Sequence, residues 1–151
     1  NIGNVKLNVL KRDLGRRLFN LDPARQYIPR YGATLEAQLG KRAIVKKKSH
    51  PFTIMFAVGG AGGQREIGID IARSLRERLR ANTMRLILVA GIHNDVKHYF
   101  RKELKGMGLA RSLGKSVAVL ASQSKGEYFR KFNHALHTTD ILWTKPSELS
   151  F

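Results

Sequence analysis

The chain has 151 residues, enough for one ordinary domain or one domain with an extension. Hydrophobic residues make up 42% and charged residues 26%, a globular mix that excludes global disorder. Lys and Arg number 28 against 11 Asp and Glu, a net charge of +17, which favours polyanionic partners: nucleic acid, an anionic membrane surface or a phosphorylated ligand. With no cysteine there is no disulfide framework, no thiolate catalysis and no cysteine-ligated zinc.

Residues 1–50 carry 12 Lys and Arg against 3 Asp and Glu, and residues 51–151 carry 16 against 8. The first third is thus about twice as dense in net charge, and a boundary is expected near His50-Pro51. Val5, Val9, Leu10, Leu14 and Leu18 recur at helical spacing, predicting an amphipathic helix over about 4–19. Asp22-Pro23 and Ile28-Pro29 read as breaks, and Thr34 to Leu39 as a short helix ended by Gly40. Lys46-Lys47-Lys48 reads as a solvated linker.

From residue 52 a regular alternation begins. Phe52 to Val58 is a continuous apolar run with the length of a strand buried on both faces; Met84 to Ala90 reads as a second buried strand, Ser116 to Ala121 as a third strand and Asp140 to Trp143 as a short fourth. Between them, Ile67, Ile71, Leu75 and Leu79 share one helical face, as do Val96, Tyr99, Phe100 and Leu104, and then Tyr128, Phe129, Phe132 and Leu136. A fourth helix is expected from Lys145 onward. This β-α-β-α-β-α-β-α order predicts an α/β fold: a parallel sheet of order 3-2-1-4 with helices on both faces. Right-handed crossovers put loops 59–64, 91–95, 122–125 and 144–148 at the carboxyl ends of the strands, where such sheets bind ligands.

Gly59-Gly60-Ala61-Gly62-Gly63-Gln64 is the sharpest of these loops. Four glycines between a strand and a helix let a ligand approach the backbone, and the helix start favours an anion, with diphosphate the natural guest; the same residues can also form a tight turn with no ligand. No Lys-Ser or Lys-Thr follows, as a nucleotide-triphosphate loop requires, and Arg65 stands where a dinucleotide fingerprint has its third glycine. A nicotinamide dehydrogenase is therefore disfavoured. His93 and Asp95 are a candidate acid–base pair, although Asn94 or Asp95 more simply caps the next helix. His134 and His137 lie one helical step apart with no third metal ligand, and no metal site is expected. Ser122-Gln123-Ser124-Lys125 offers hydroxyls, an amide and a cation, or an ordinary helix cap. In Thr144-Lys145-Pro146-Ser147-Glu148, Lys145 can meet a phosphate and Ser147 and Glu148 a sugar diol, or all of them serve to start a helix.

Three stretches together resemble the donor-binding domain of GT-B-type nucleotide-sugar glycosyltransferases, in the branch of the lipid-linked N-acetylglucosaminyltransferase and the monogalactosyldiacylglycerol synthase. They are Ile54 to Gly63, Leu86 to Gly91, and Thr139 to Glu148. The resemblance covers about residues 51–151 and implies a Rossmann-like half of a GT-B fold. It implies diphosphate at Gly59, Gly60, Ala61, Gly62, Gly63, Gln64 and Lys145. Ser122, Gln123 and Ser124 would lie near the base, and Ser147 and Glu148 at ribose or sugar. Pro146-Ser147 replaces the family's usual glycine, and Glu148 comes early relative to its glutamate. The substrate implied is a nucleoside diphosphate sugar, such as a UDP-sugar, with no further cofactor.

In that family the acceptor site and usually the catalytic base belong to an N-terminal domain. Residues 1–50 would then be the connection to it, or its end. Asn1 in place of Met, and a last stretch Ser147 to Phe151 that reads as one helical turn, suggest a piece of a longer protein, inactive alone. The expected location is cytoplasmic, peripheral to the inner face of a membrane. The competing expectations are a basic nucleic-acid-binding α/β domain, and a non-enzymatic domain of the same fold. Against nucleic acid, Phe100, Phe129 and Phe132 are expected in the core and not as stacking platforms.

Overall fold

The computed structural model describes residues 7–45, 47–57 and 63–144. The chain divides into two compact units, Asn1–His50 and Pro51–Phe151.

The first unit holds helices α1 (Leu7–Leu21) and α2 (Tyr27–Leu39), followed by a 3-10 turn at Lys41–Ala43. Helix α2 is longer than the sequence suggests. Pro29 does not break it, because it sits in the first turn, where a missing N–H costs no intrahelical bond. Asp22 starts the helix: its two carboxylate oxygens accept the backbone N–H groups of Gln26 and Tyr27 at 3.0 and 2.9 Å. Burial works to raise the Asp22 carboxyl, but those bonds and one from Ile28 outweigh it and hold the group below its ordinary value. Gly15 of α1 packs on the turn so closely that an added Cβ would lie 1.8 Å from the carbonyl oxygen of Ala43.

The second unit is a four-stranded, all-parallel sheet flanked by helices, a Rossmann-like arrangement of order β3-β2-β1-β4. Its strands are β1 (Phe52–Ala57), β2 (Met84–Gly91), β3 (Val117–Ala121) and β4 (Ile141–Thr144). Helices α3 (Arg65–Ser74), α4 (Arg76–Arg80), α5 (Asn94–Gly106) and α6 (Lys125–Leu136) alternate with them. The helix expected after β4 lies outside the described residues.

Alternation along β2 divides the core. Leu86, Leu88 and Ala90 face one side with Phe56, Ile69, Leu79, Val96, Phe100 and Leu104 from β1, α3, α4 and α5. Ile87 and Val89 face the other side with Met55, Ala57 and Phe132. Burying a side chain such as Phe100 or Leu104 completely contributes roughly 1.5–3 kcal/mol each, so this central β1–β2 layer holds the unit together.

Two expectations change. The helix after the glycine loop is interrupted at Leu75; the expected face does meet the core, with Leu79 fully buried and Ile67, Ile71 and Leu75 packed against it, but Gly68, Ile69 and Ala72 are buried there as well. A Cβ on Gly68 would fall 2.9 Å from Phe56 Cδ1 and 3.1 Å from Phe100 Cε1, so glycine is what lets α3 sit this close to the sheet. Phe129 is not core: it is 49% exposed, because α6 turns Phe132 inward and leaves Phe129 at its rim.

Candidate functional site at the carboxyl edge of the sheet

A parallel sheet points the carboxyl ends of all its strands the same way, and the strand order decides which loops become neighbours. β1 pairs with β2 on one side and β4 on the other, with Ala57 opposite both Val89 and Thr144. The winding therefore reverses between β1 and β4, and the chain leaves these two strands side by side. This is the switch point at which open α/β sheets take ligands.

Of the expected diphosphate residues, Gly59, Gly60, Ala61, Gly62 and Lys145 lie outside the described residues, as do Ser147 and Glu148. Gly63 and Gln64 are described. Gln64 adopts left-handed backbone angles (φ 65, ψ 23) and precedes α3 without a side-chain cap bond. Such a conformation costs a non-glycine residue about 1–2 kcal/mol. Its carbonyl accepts the N–H of Ile67 at 3.2 Å, which closes the first turn of α3.

Arg65, which stands where a dinucleotide fingerprint has its third glycine, ties the start of α3 to α5. Its Nη1 donates to Asp95 Oδ2 at 3.2 Å, its Nε lies 3.5 Å from Glu66 Oε1, and its guanidinium sits 4.6 Å from the ring centre of Tyr99. The first helical residue after a glycine loop is where a cation would be sought. The partner spacing of 30 residues hides the contact from local pattern reading. Burial pushes the Tyr99 hydroxyl above its ordinary value, and the charges of Glu66 and Glu103 push the same way. The close helix–sheet contact that a third glycine would allow comes instead from Gly68.

At the end of β2, Gly91 has φ 64, and the β2–β3 register shifts between Val89 and Gly91. A glycine suits this kink, since a side chain there would be strained. The expected capping by Asn94 or Asp95 is not what forms. Both are helical, and His93 takes the N-cap position without a side-chain cap bond. Asp95 instead lies in the first turn of α5, where its charge favours the helix dipole and meets Arg65.

The loop after β3 is a helix start. Ser124 caps α6, its hydroxyl accepting the N–H of Glu127 at 3.3 Å, while Glu127 accepts the N–H of Gln123 at 3.3 Å. This reciprocal pair is close to a capping box, with Glu127 reaching one residue further back. Lys131 pairs with Glu127 at 2.8 Å and donates to the carbonyl of Ala121 at 3.3 Å, which places a cation at the end of β3. The four-residue spacing of Glu127 and Lys131 is a signal that could have found it. Ser122 is buried, its N–H donating to the Gly91 carbonyl at 2.9 Å, and its hydroxyl has no hydrogen-bond partner among the described residues. Gln123 and Ser124 are exposed. His134 and His137 stand 6.4 Å apart, ring centre to ring centre, and no group of three or more metal-ligating side chains occurs among the described residues.

The edge thus gathers a strained loop end, a buried hydroxyl and two anchored cations around helix starts. Among the described residues no helix is long and apolar enough to cross a membrane. A family model described as a domain of unknown function (DUF6938) matches residues 26–115, from the start of α2 to just before β3. The chain belongs to this family. No curated protein and no solved structure matches it.

Proposed function

We propose that residues 51–151 bind the donor of a nucleotide-sugar glycosyltransferase, holding a nucleoside diphosphate sugar at the carboxyl edge between β1 and β4. The observation that carries this reading is the side-by-side exit of the two strands that lead into the glycine loop and into Lys145-Pro146-Ser147-Glu148. The left-handed Gln64 supports it, because strained backbone of this kind gathers at ligand clamps. In the reaction an acceptor hydroxyl attacks the anomeric carbon of the sugar and gives up its proton to a base outside residues 51–151, while the bond to the diphosphate breaks with its electron pair going to the leaving group. The start of α3 and Lys145 are suited to stabilise that developing charge. An anionic membrane surface, as suits a lipid acceptor, is the partner this reading assigns to the basic surface.

The test is calorimetric titration with uridine diphosphate, other nucleoside diphosphates and free uridine. Diphosphates should bind and uridine should bind much more weakly. Gly62→Val should block the approach of the phosphates, and Lys145→Ala should cost on the order of 1–3 kcal/mol, or about 5- to 150-fold, on the diphosphate alone. Absence of binding by any diphosphate, or equal binding of uridine unaffected by both variants, rejects the reading.

One observation favours a second reading, in nucleic-acid binding. Phe129 is exposed beside Tyr128, their rings 5.2 Å apart, on a helix that also carries Lys125, Arg130 and Lys131. An exposed aromatic among cations can stack a base. Phe129→Ala should then weaken single-stranded DNA or RNA binding and leave diphosphate binding unchanged.

A further inference from the structure

Helix α1 is turned inside out. Its buried residues are Asp13 and Gly15, whereas Leu7, Leu10, Leu14 and Leu21 are 64, 47, 43 and 48% exposed. These leucines are three, four and seven residues apart, so at about 100° per residue they form one stripe, and half-buried Leu18 falls within it. The reason for the inversion lies on the opposite side. Gly15 allows backbone contact with Ala43, and the Asp13 carboxylate, buried on a different side of the helix, lies 3.8 Å from Arg16 and 3.9 Å from Arg12. Asp13 and Gly15 are thus the buried residues of α1, Phe19 is half-buried, and most of its leucines are left exposed.

The surroundings of the stripe limit what can cover it. Lys11 and Arg17 border it at helical spacing, and residues 1–50 carry a net +9. Past its end, Tyr27 and Tyr31 are exposed, their rings 4.8 Å apart, and with Leu18 and Leu21 they line a cleft of about 520 Å³. A second copy of this surface would bring like charges together. An apolar stripe edged by cations and ended by tyrosines is instead complementary to an anionic bilayer. Leucines enter the acyl boundary, Lys and Arg reach back to the headgroups, and tyrosine rings sit at the interface.

We propose that α1, with Tyr27 and Tyr31, lies in the plane of an anionic membrane and inserts its leucine stripe. This names the surface for the membrane partner of the reading above but does not depend on nucleotide binding. Loss of diphosphate binding would leave it standing.

The experiment is co-sedimentation of the chain with vesicles of phosphatidylcholine alone or mixed with phosphatidylglycerol. Binding should require the anionic lipid. Leu10→Ser with Leu14→Ser should weaken it about 10- to 100-fold, and Lys11→Gln or Arg17→Gln about fivefold each. Because the chain has no cysteine, Leu14→Cys can carry a polarity-sensitive dye as its only label. The dye should shift to the blue on anionic vesicles, and the same dye at Thr34→Cys, an exposed site on α2, should not. This readout stands even if the double serine variant loses its fold. No vesicle binding, binding with both dyes unshifted, or a leucine stripe that mediates only self-association or capture of an acidic helical peptide would overturn the proposal.

Discussion

At the scale of single residues, the two positions with least freedom are a glycine and an aspartate that no ligand need touch. An alanine methyl at Gly15 would overlap the Ala43 carbonyl, and a backbone atom cannot swing aside as a side chain can. Gly15→Ala should therefore loosen the helical unit by about 1–3 kcal/mol or more, read as early proteolysis between α2 and β1, with the sheet intact. Asp140 closes the amino end of the β1–β4 pair: its Oδ2 accepts the buried N–H of Thr53 at 2.8 Å, and its own N–H donates to the Thr53 carbonyl at 2.9 Å. Asp140→Ala leaves the Thr53 N–H without that acceptor and should cost about 1–3 kcal/mol in chemical denaturation. Asp140→Asn keeps an acceptor oxygen and should recover most of the loss. Gln64 is the opposite case. Gly at this left-handed position should stabilise the fold by roughly 1 kcal/mol. If Gln64 also touches the ligand, Gln64→Gly will weaken diphosphate binding while raising the thermal midpoint, a split that strain alone does not produce.

At the scale of elements, the start of α6 combines a serine cap with a carboxylate pinned from two sides. The hydrogen bond from Lys131, then that from the Gln123 backbone, hold the Glu127 carboxyl below its ordinary value of 4.5. A group whose pKa is lower folded than unfolded contributes stability that is fully present above the unfolded value. That contribution is lost as the pH falls from there through the folded value. Thermal melts of wild type should thus lose stability below pH 4.5 more steeply than those of Glu127→Gln, and the two should run parallel above it. The elements were readable because burial on both faces leaves a nearly continuous apolar run, and a helix on a sheet leaves a 3.6-residue stripe. Both marks are plain at Phe52–Ala57, Met84–Gly91 and Asn94–Gly106. Where the rule is broken, the cause is a contact with no local signature. α1 could face outward because Gly15 meets a carbonyl 28 residues away, while Pro29 reads as a break although the first turn of α2 tolerates it. The site was legible as loops in the right order but not as Arg65–Asp95–Tyr99, a cluster that only the β1–β2 register brings together.

At the scale of the whole molecule, charge and apolar surface pull in opposite directions, and salt separates them. Among the described residues β4 is an edge strand, and its Ile141, Leu142 and Trp143 are 39, 36 and 52% exposed, so it shows apolar side chains on both faces. No charge or proline interrupts Ile141-Leu142-Trp143-Thr144, which are the usual means of protecting such an edge. Apolar edges associate, but a net +17 on each copy opposes their approach. Screening shortens from about 10 Å at 0.1 M salt to about 3 Å at 1 M, so the repulsion fades while the apolar attraction persists. Self-association through β4 should therefore rise with salt, whereas adsorption to anionic vesicles should fall with it. Sedimentation velocity at a series of protein concentrations, run at both salts, measures the first. Leu142→Lys, which puts a charge on the edge without touching the core clusters, should return the high-salt sample to monomer. If the wild-type chain stays monomeric up to millimolar concentration at 1 M salt, or if the variant associates as strongly, the edge is not the contact, and the exposed strand carries no tendency to pair.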